Sequence, residues 1–171
     1  MLFQEELTTE KALINMFEEF YTKVYNYFRY HLRNDDEAQD LTGEVFVRAA
    51  QAFSRYDRQK AAISTWVFKI ARNLLIDYYR KIKHETVELQ EYLSVADDFV
   101  GAVIEQERIR ALKGALLELS FREREIIALK YSVGMKNAEI SEALGLTISN
   151  VGTIHFRALE KLKSKLTDYA Y

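Results

Sequence analysis

Residues 137–162 read NAEISEALGLTISNVGTIHFRALEKL, and this stretch decides the fold of the carboxy-terminal half. Apolar residues recur at helical spacing on both sides of Gly145, which is suited to the left-handed backbone of a tight turn. The pattern predicts a short helix over 137–144 and a longer one, capped by Ser149, running to about Leu166. Two such helices crossing over a glycine turn form a helix-turn-helix, here roughly Lys136 to Leu162.

The longer helix of this motif carries polar side chains on one face. Asn150, Thr153 and Arg157 follow one another at spacings of three and four, His155 lies beside them, and Lys161 extends the positive charge. Such a face can enter the major groove of a duplex and touch base edges or phosphates. The alternative is a helical hairpin that only packs, since the apolar pattern specifies geometry rather than a ligand.

Helix is predicted for most of the remaining chain as well. None of the 171 residues is proline and only six are glycine, while 49% are hydrophobic, which is enough to bury real cores. Apolar spacing predicts helices over about 10–32, 35–53, 65–83, 99–119 and 121–131. Their caps are expected at Asn34 or Asp35 with Glu37, at Ser64, and at Ser120 with Glu123. An all-α fold follows.

Charge divides the chain more clearly than its formal sum of −2 suggests. Successive blocks 1–57, 58–83, 84–107 and 108–171 carry net charges of −5, +6, −7 and +4. We therefore expect two small helical domains, 1–83 and 105–171, joined by an acidic linker over 84–104. The two basic blocks predict two contacts with nucleic acid.

Composition also excludes several classes of function. The chain has no cysteine and only three histidines, so no disulfide, thiolate metal site or other metal cage is expected. Its apolar runs are shorter than the roughly 18 to 20 residues of a membrane-spanning helix, and the acidic start does not resemble a signal peptide. We expect a cytoplasmic protein without cofactor, metal or catalytic residues and without membrane insertion.

The third predicted helix holds the most basic stretch of the chain. Lys69, Arg72, Asn73 and Arg80 share a stripe, and aromatic residues such as Trp66 lie between them. Basic groups attract phosphates and planar rings can stack on unpaired bases, so the combination suits single-stranded or melted DNA. The aromatic rings fit the core at least as well as a stacking platform.

The second predicted helix presents carboxylates from Asp36, Asp40 and Glu44 on one side. Without a histidine partner they make a poor metal site. They form either a solvated face or a docking surface for a basic helix of another protein. Gly43 among them costs about 1 kcal/mol relative to alanine, so either a neighbour approaches closely or the helix is locally weak.

As a set these segments resemble the bacterial sigma factors of the extracytoplasmic-function type, the smallest members of the sigma-70 family. DEAQDLTGEVFVRA over 36–49 is similar to the family's polymerase-docking helix, and STWVFKIARNLLIDYYR over 64–80 to its promoter-melting helix. LSFREREIIALK over 119–130, followed by NAEISEALG over 137–145, resembles its carboxy-terminal promoter-reading domain. The order and separation of the segments also match.

The resemblance implies a role for each surface. The residues implied to contact the clamp helices of core RNA polymerase are Asp36, Asp40, Leu41, Glu44 and Arg48. Those implied to bind a flipped base and the melted strand of the minus-ten element are Arg58, Lys60, Ser64, Trp66, Lys69, Arg72, Asn73 and Arg80. Those implied to bind the minus-thirty-five duplex are Lys136, Ser149, Asn150, Thr153, His155, Arg157 and Lys161. The polymerase flap and an anti-sigma factor are further expected partners, and the linker is expected to run towards the RNA path.

The chain departs from the family pattern at a few positions. Gly43 replaces a usual glutamine, and Gly152 and Ile154 stand where the recognition helix often has lysine or arginine, which predicts weaker docking and fewer phosphate contacts. Ser120 replaces a proline but still caps its helix.

Two other functions compete with the sigma reading. A stand-alone helix-turn-helix regulator would leave the acidic helix unexplained, and an enzyme using Asp36, Asp40 and Glu44 to bind a cation would lack a nucleophile or histidine nearby.

Overall fold

A computed structural model of the chain describes residues 2–85 and 103–167, with side chains described over 9–82 and 107–167. Within these ranges every regular element is helical, which confirms the all-α prediction. The elements are α1 (Leu2–His31), α2 (Asp35–Ala52), a 3-10 turn (Phe53–Arg55), α3 (Ile63–Glu85), α4 (Val103–Leu117), α5 (Phe121–Ala128), a π-helical turn (Leu129–Val133), α6 (Asn137–Leu144) and α7 (Ile148–Leu166).

Helices α1 to α3 form the first domain. The apolar stripe of α1, including Phe20, Val24 and Phe28, is buried against α2 and α3. Helix α2 begins where Asn34 Oδ1 accepts a hydrogen bond from the amide of Asp36 at 2.8 Å. The Glu37 carboxylate, expected to complete a capping box there, instead accepts a hydrogen bond from Tyr78 of α3.

Helices α4 to α7 form the second domain, which contains the predicted helix-turn-helix. The capping box at the start of α5 is confirmed, since the Ser120 hydroxyl accepts from the Glu123 amide and Glu123 accepts from the Ser120 amide. Gly145 joins α6 to α7 with a left-handed φ of 64°. Val151, Ala158 and Leu162 on the inner face of α7 are buried against this turn and against α4 and α5.

Two predicted caps are each wrong by two residues. Helix α3 begins at Ile63, so Ser64 lies in its first turn rather than at the cap. Helix α7 begins at Ile148 because the Thr147 side chain accepts a hydrogen bond from the amide of Asn150, which leaves Ser149 inside the helix. A hydroxyl side chain stands near each helix start, and periodicity alone does not choose between neighbouring positions.

The helix expected over 121–131 has an irregular end. α5 is regular to Ala128, and the following turn is wound as a π-helix that closes at Gly134 with a φ of 81°. The wider turn lets Leu129 and Met135 both point into the core.

The two domains pack against each other along a seam where α1 and α3 meet α5, the π-helical turn and α6. One apolar cluster runs through both, joining Phe28 and Leu75 of the first domain with Ile126, Leu129 and Ile140 of the second. Most of the predicted acidic linker, 86–102, lies outside the described residues; α3 continues to Glu85 and α4 begins at Val103. None of the described helices is long and apolar enough to cross a membrane.

Candidate functional site

The predicted acidic surface lies on the outer side of α2. Asp36, Asp40 and Glu44 are all exposed on one face, and Arg48 Nε donates to Glu44 Oε1 at 2.8 Å. Leu41 is partly buried and packs against the core of the first domain. The surface therefore presents carboxylates and one paired guanidinium, a combination suited to a basic protein partner.

Sequence reasoning missed an apolar component of this surface. The Val47 side chain is 52% exposed and lies about two turns beyond Asp40 on the same side of α2. Phe17 of α1 is also exposed and its ring lies 5.0 Å from that of Phe46. The available signal was the seven-residue spacing from Asp40 to Val47, which places both residues on one face.

The predicted base-capturing loop is a compact turn between the 3-10 turn and α3. Asp57 Oδ1 accepts from the amide of Gln59 at 2.9 Å, and the Tyr56 hydroxyl donates to the carbonyl of Ala61 at 3.0 Å. Arg58 and Lys60 are exposed on this turn, with Lys60 loosely paired to Asp57 at 3.5 Å. A surface ion pair of this kind contributes little and leaves the ammonium available to a phosphate.

Trp66 stands behind the loop and packs in an aromatic cluster. Its ring lies 4.9 Å from that of Tyr56 and 6.3 Å from that of Phe53. It is partly buried and packs against the core beside the loop. Of the two uses left open by the sequence, the structure shows the packing one.

The basic stripe of α3 continues from this loop. Lys69, Asn73 and Arg80 are exposed, and Arg80 pairs with Asp77 at 3.3 Å on the solvent side. The pKa of Tyr78 is raised, chiefly by burial and then by its hydrogen bond with Glu37, so its hydroxyl remains a proton donor. The exposed members lie along one side of α3, with Ile76 between Asn73 and Arg80.

Arg72, placed by its spacing in the same stripe, is turned towards the second domain. Its Nε lies 2.5 Å from Glu125 Oε1 of α5, and only 28% of its side chain is exposed. Lys69 and Arg72 line a small cavity together with Ala143 and Leu144 of α6. One end of the strip is therefore covered by the helix-turn-helix domain.

Helix α7 presents the predicted recognition face to solvent. Ser149, Asn150, Thr153 and Arg157 are exposed, while Val151 of the same helix faces the core. The Thr153 hydroxyl donates to the carbonyl of Ser149 at 3.0 Å and still has lone pairs that accept hydrogen bonds. Lys136 is exposed where α6 begins, and Glu139 accepts from its amide at 2.7 Å.

Two further predicted contacts of the second domain already have partners. His155 Nε2 lies 3.1 Å from the hydroxyl of Tyr131, and its pKa is lowered by burial and by Lys130. Lys161 Nζ lies 2.7 Å from Glu123 Oε1. Burial opposes ionisation of Glu123, but hydrogen bonds from Lys161 and Ser120 hold the pKa of this carboxyl below its usual value.

Sequence reasoning also missed Phe156, which follows Thr153 by about one turn of α7. Its side chain is 65% exposed. A ring at this position can meet the methyl group of thymine, the apolar element of major-groove recognition. The signal was its spacing of three residues from Thr153.

The described parts of the chain contain no candidate metal site. No group of three or more histidine, aspartate, glutamate or cysteine residues there is arranged to hold a metal ion. What the described surfaces offer is binding, through charge, hydrogen bonds and aromatic edges.

Known proteins resemble the chain along most of its length. Residues 16–85 match the family model "Sigma-70 region 2", and residues 109–162 match "Sigma-70, region 4". The ECF RNA polymerase sigma factor SigW of Bacillus subtilis is 30% identical over 93% of this chain and 91% of SigW. BldN of Streptomyces coelicolor, also an ECF sigma factor, is 26% identical over 93% of this chain, which spans 62% of BldN.

A solved structure shares the fold. It is the sigma factor RpoE in complex with the anti-sigma factor NepR from Bartonella quintana, with a TM-score of 0.67 and 20% identity over 92% of this chain and 96% of that one. The helical fold, the matches to regions 2 and 4 and the identity to SigW all indicate the same family. The chain belongs to the ECF sigma factors of the sigma-70 family, non-catalytic DNA-binding subunits with which RNA polymerase initiates transcription.

Proposed function

We propose that the three surfaces of this sigma factor divide its work. The acidic face of α2 docks on the clamp helices of core polymerase, with Asp40 and Glu44 central and Val47 adding apolar contact. The proposal is supported by three exposed carboxylates and an exposed valine on one helical face. We assign these functions to domains at 1–83 and 105–171, with 84–104 as the connector.

In this proposal the minus-ten element is bound by the turn over residues 56–62 and by the basic strip on α3. Arg58 and Lys60 border the pocket for an extruded base, and Lys69, Arg72 and Asn73 hold the melted non-template strand. The observation that carries the assignment is the exposed strip of Lys69, Asn73 and Arg80 leading from a basic turn. Unstacking a base costs a few kcal/mol, which phosphate and pocket contacts can offset.

Helix α7 reads the minus-thirty-five duplex through Asn150, Thr153 and Arg157, with Phe156 as the apolar contact. Gly152 and Ile154, which packs partly buried against the core, supply no charge to phosphates where the family often has lysine or arginine. We therefore infer that the second domain binds duplex DNA weakly by itself and depends on the polymerase for its affinity.

Two further aspects belong to this proposal. An anti-sigma factor is a partner, as it is for the structurally similar RpoE. The place of action is the cytoplasm, where bacterial polymerase meets its promoters.

Run-off transcription with bacterial core polymerase on the host's genomic DNA, followed by mapping of start sites, tests the proposal. We expect discrete start sites that share two sequence elements at fixed spacing. Transcription no greater than that of core polymerase alone would contradict it.

A further inference from the structure

One polar pair on the flank of α7 lies apart from the residues that face the bases. The Nε2 atom of His155 lies 3.1 Å from the Tyr131 hydroxyl, and the two ring centroids are 5.8 Å apart. Tyr131 belongs to the π-helical turn and is 55% exposed, whereas His155 is only partly exposed. Because a phenol hydroxyl can both donate and accept, Tyr131 has hydrogen-bonding capacity beyond its contact with His155.

The pair borders the base-reading side of α7. Successive residues of an α-helix are rotated by about 100°, which places Gly152 between Thr153 on one side and His155 on the other. Among the described residues, a Cβ built at Gly152 would meet only Asn137 Nδ2, at 3.8 Å. The described chain therefore leaves this flank of the helix open.

A duplex bound by α7 brings a phosphate backbone to the same flank. An α-helix with its side chains is about 10 to 12 Å across and the major groove is about 12 Å wide. The sides of a helix in the groove therefore face the two backbones. Gly152 supplies no charge on this side, and Tyr131 and His155 are the polar groups that border it.

The electrostatic surroundings of the pair favour an anion. Lys130 Nζ donates to a neutral amide, Asn137 Oδ1 at 2.8 Å, so the charge of Lys130 is not neutralised by this contact. Burial, and then the charge of Lys130, lower the pKa of His155 below its usual 6.5. The imidazole is therefore mostly neutral at pH 7 in the free protein.

We propose that the Tyr131 hydroxyl binds a backbone phosphate of the minus-thirty-five duplex, with His155 as the positioning residue that takes up a proton from solvent on binding. The inference rests on the proposed reading of that duplex by α7. A protonated imidazole donates from both nitrogens, so Nε2–H donates to the tyrosine oxygen and leaves the tyrosine O–H to donate to the phosphate. The imidazolium also supplies the positive charge that Gly152 lacks.

This arrangement links the affinity for DNA to pH. A bound phosphate favours the charged form of the ring, so the pKa of His155 rises on binding from its lowered value in the free protein. Affinity for the duplex therefore increases as pH falls from 8 to 6, by up to about tenfold for each unit of that rise. Lys130 and Tyr131 are the titratable groups of the π-helical turn that act on the ring.

The test uses the holoenzyme formed with core polymerase and a fluorescent duplex that carries a minus-thirty-five element mapped upstream of one of its own start sites. Anisotropy gives the dissociation constant at pH 6, 7 and 8 at constant ionic strength. Tyr131→Phe removes only the hydroxyl, His155→Gln cannot be charged, and His155→Lys is charged at every pH used. Tyr25→Phe is the matched control, because the Tyr25 hydroxyl accepts from Arg29 within α1 of the first domain.

We expect the original chain to bind about fivefold more tightly at pH 6 than at pH 8. His155→Gln should lose this increase, and at pH 6 the slope of log affinity against log salt should fall by about 0.9. His155→Lys should bind as tightly at pH 8 as the original chain does at pH 6. Tyr131→Phe should weaken binding about tenfold at pH 6, and Tyr25→Phe should leave both the affinity and its pH dependence unchanged.

The original pH dependence in His155→Gln, or equal affinities for Tyr131→Phe and Tyr25→Phe, would overturn the inference. Nuclear magnetic resonance of the full chain labelled with nitrogen-15 at histidine gives a second measurement without any substitution. Addition of the duplex should raise the pKa of His155, and an unchanged titration contradicts the phosphate contact. Promoter-directed transcription by the original chain tests the proposed function separately: its absence refutes that function, whereas a flat pH profile with intact transcription refutes the phosphate contact alone.

Discussion

His31, at the end of α1, has its imidazole enclosed between the rings of Tyr27 at 4.9 Å and Phe121 at 5.5 Å. Among the described residues neither ring nitrogen has a hydrogen-bond partner, although the carbonyl of His31 accepts from Tyr79 at 2.6 Å. Burial, with a smaller effect from the nearby guanidinium of Arg124, lowers the pKa of His31 to about 3. The folded protein therefore holds this ring neutral at every physiological pH.

This environment predicts a loss of stability on acidification. The unfolded chain binds a proton at His31 below its ordinary pKa of 6.5 and the folded chain does not until about 3, so stability is complete above 6.5 and falls between these values. At pH 5 the cost relative to pH 7 is about 2 kcal/mol from this residue. Urea unfolding of the original chain and of His31→Leu at pH 5 and pH 7 measures this difference in the free energy of unfolding.

The leucine variant should lose that part of the pH dependence and keep its stability at pH 7. His155→Gln is the control, since its ring is only partly buried, and this substitution should change the pH dependence much less. Equal slopes for the original chain and His31→Leu would show that the ring is protonated in the folded state.

Gly43 lies in the middle of α2, and the sequence left open whether a close neighbour requires a glycine there. Among the described residues a Cβ built there would meet nothing within 4 Å, and the φ of Gly43 is not positive, so no described neighbour requires a glycine. Gly43→Ala should therefore stabilise the first domain by about 0.5 to 1 kcal/mol through lower backbone entropy of the unfolded state. Denaturation by urea checks this value, and a destabilised variant would contradict it.

Arg124 closes the carboxy-terminal end of α4 in place of a glycine cap. Its guanidinium donates to the carbonyls of Leu116 at 2.9 Å, Leu117 at 2.6 Å and Leu119 at 2.9 Å. Lysine keeps the charge but not the planar fork, so Arg124→Lys should cost about 2 kcal/mol. Thermal unfolding compares it with Arg110→Lys, an exposed position on α4 where we expect almost no change. Matching values would exclude the capping role.

The face of α2 gives a prediction at the same scale. Asp40→Lys reverses the charge at the centre of the proposed docking surface and should abolish binding to core polymerase in a native gel, without altering the melting temperature. Gln39→Lys adds a lysine about 100° around the same helix and should bind normally. Polymerase binding by the Asp40 variant at the original affinity would refute the docking assignment.

Helices were predictable from the sequence because their apolar stripes and glycine turns are local patterns. Gly145 and the box of Ser120 with Glu123 are found where they were expected. The π-helical turn after Ala128 could not be predicted, because buried residues at 126–129 fit a regular helix equally well. Nor could spacing alone decide between Thr147 and Ser149 as the cap of α7.

At the scale of the whole molecule, the sequence indicated two domains but not their contact. Phe28 of the first domain and Leu129 of the second lie in one apolar cluster, and the spacing of apolar residues in the sequence does not predict that a cluster spans both domains. Arg72 was predicted as a DNA contact from its position on α3, and its buried partner Glu125 is too distant in sequence to be inferred. Long-range pairing is a property of tertiary packing, which local periodicity does not encode.

Permanganate reactivity of thymines in promoter complexes with core polymerase tests whether α3 opens the DNA strands while α7 reads the duplex. With Lys69→Ala we predict that protection of the minus-thirty-five duplex persists while thymines of the minus-ten element become unreactive. With Asn150→Ala, at limiting sigma factor, protection of the minus-thirty-five duplex and thymine reactivity of the minus-ten element should fall together. Full thymine reactivity with Lys69→Ala, or its loss together with upstream protection, would contradict the assignment of strand opening to α3.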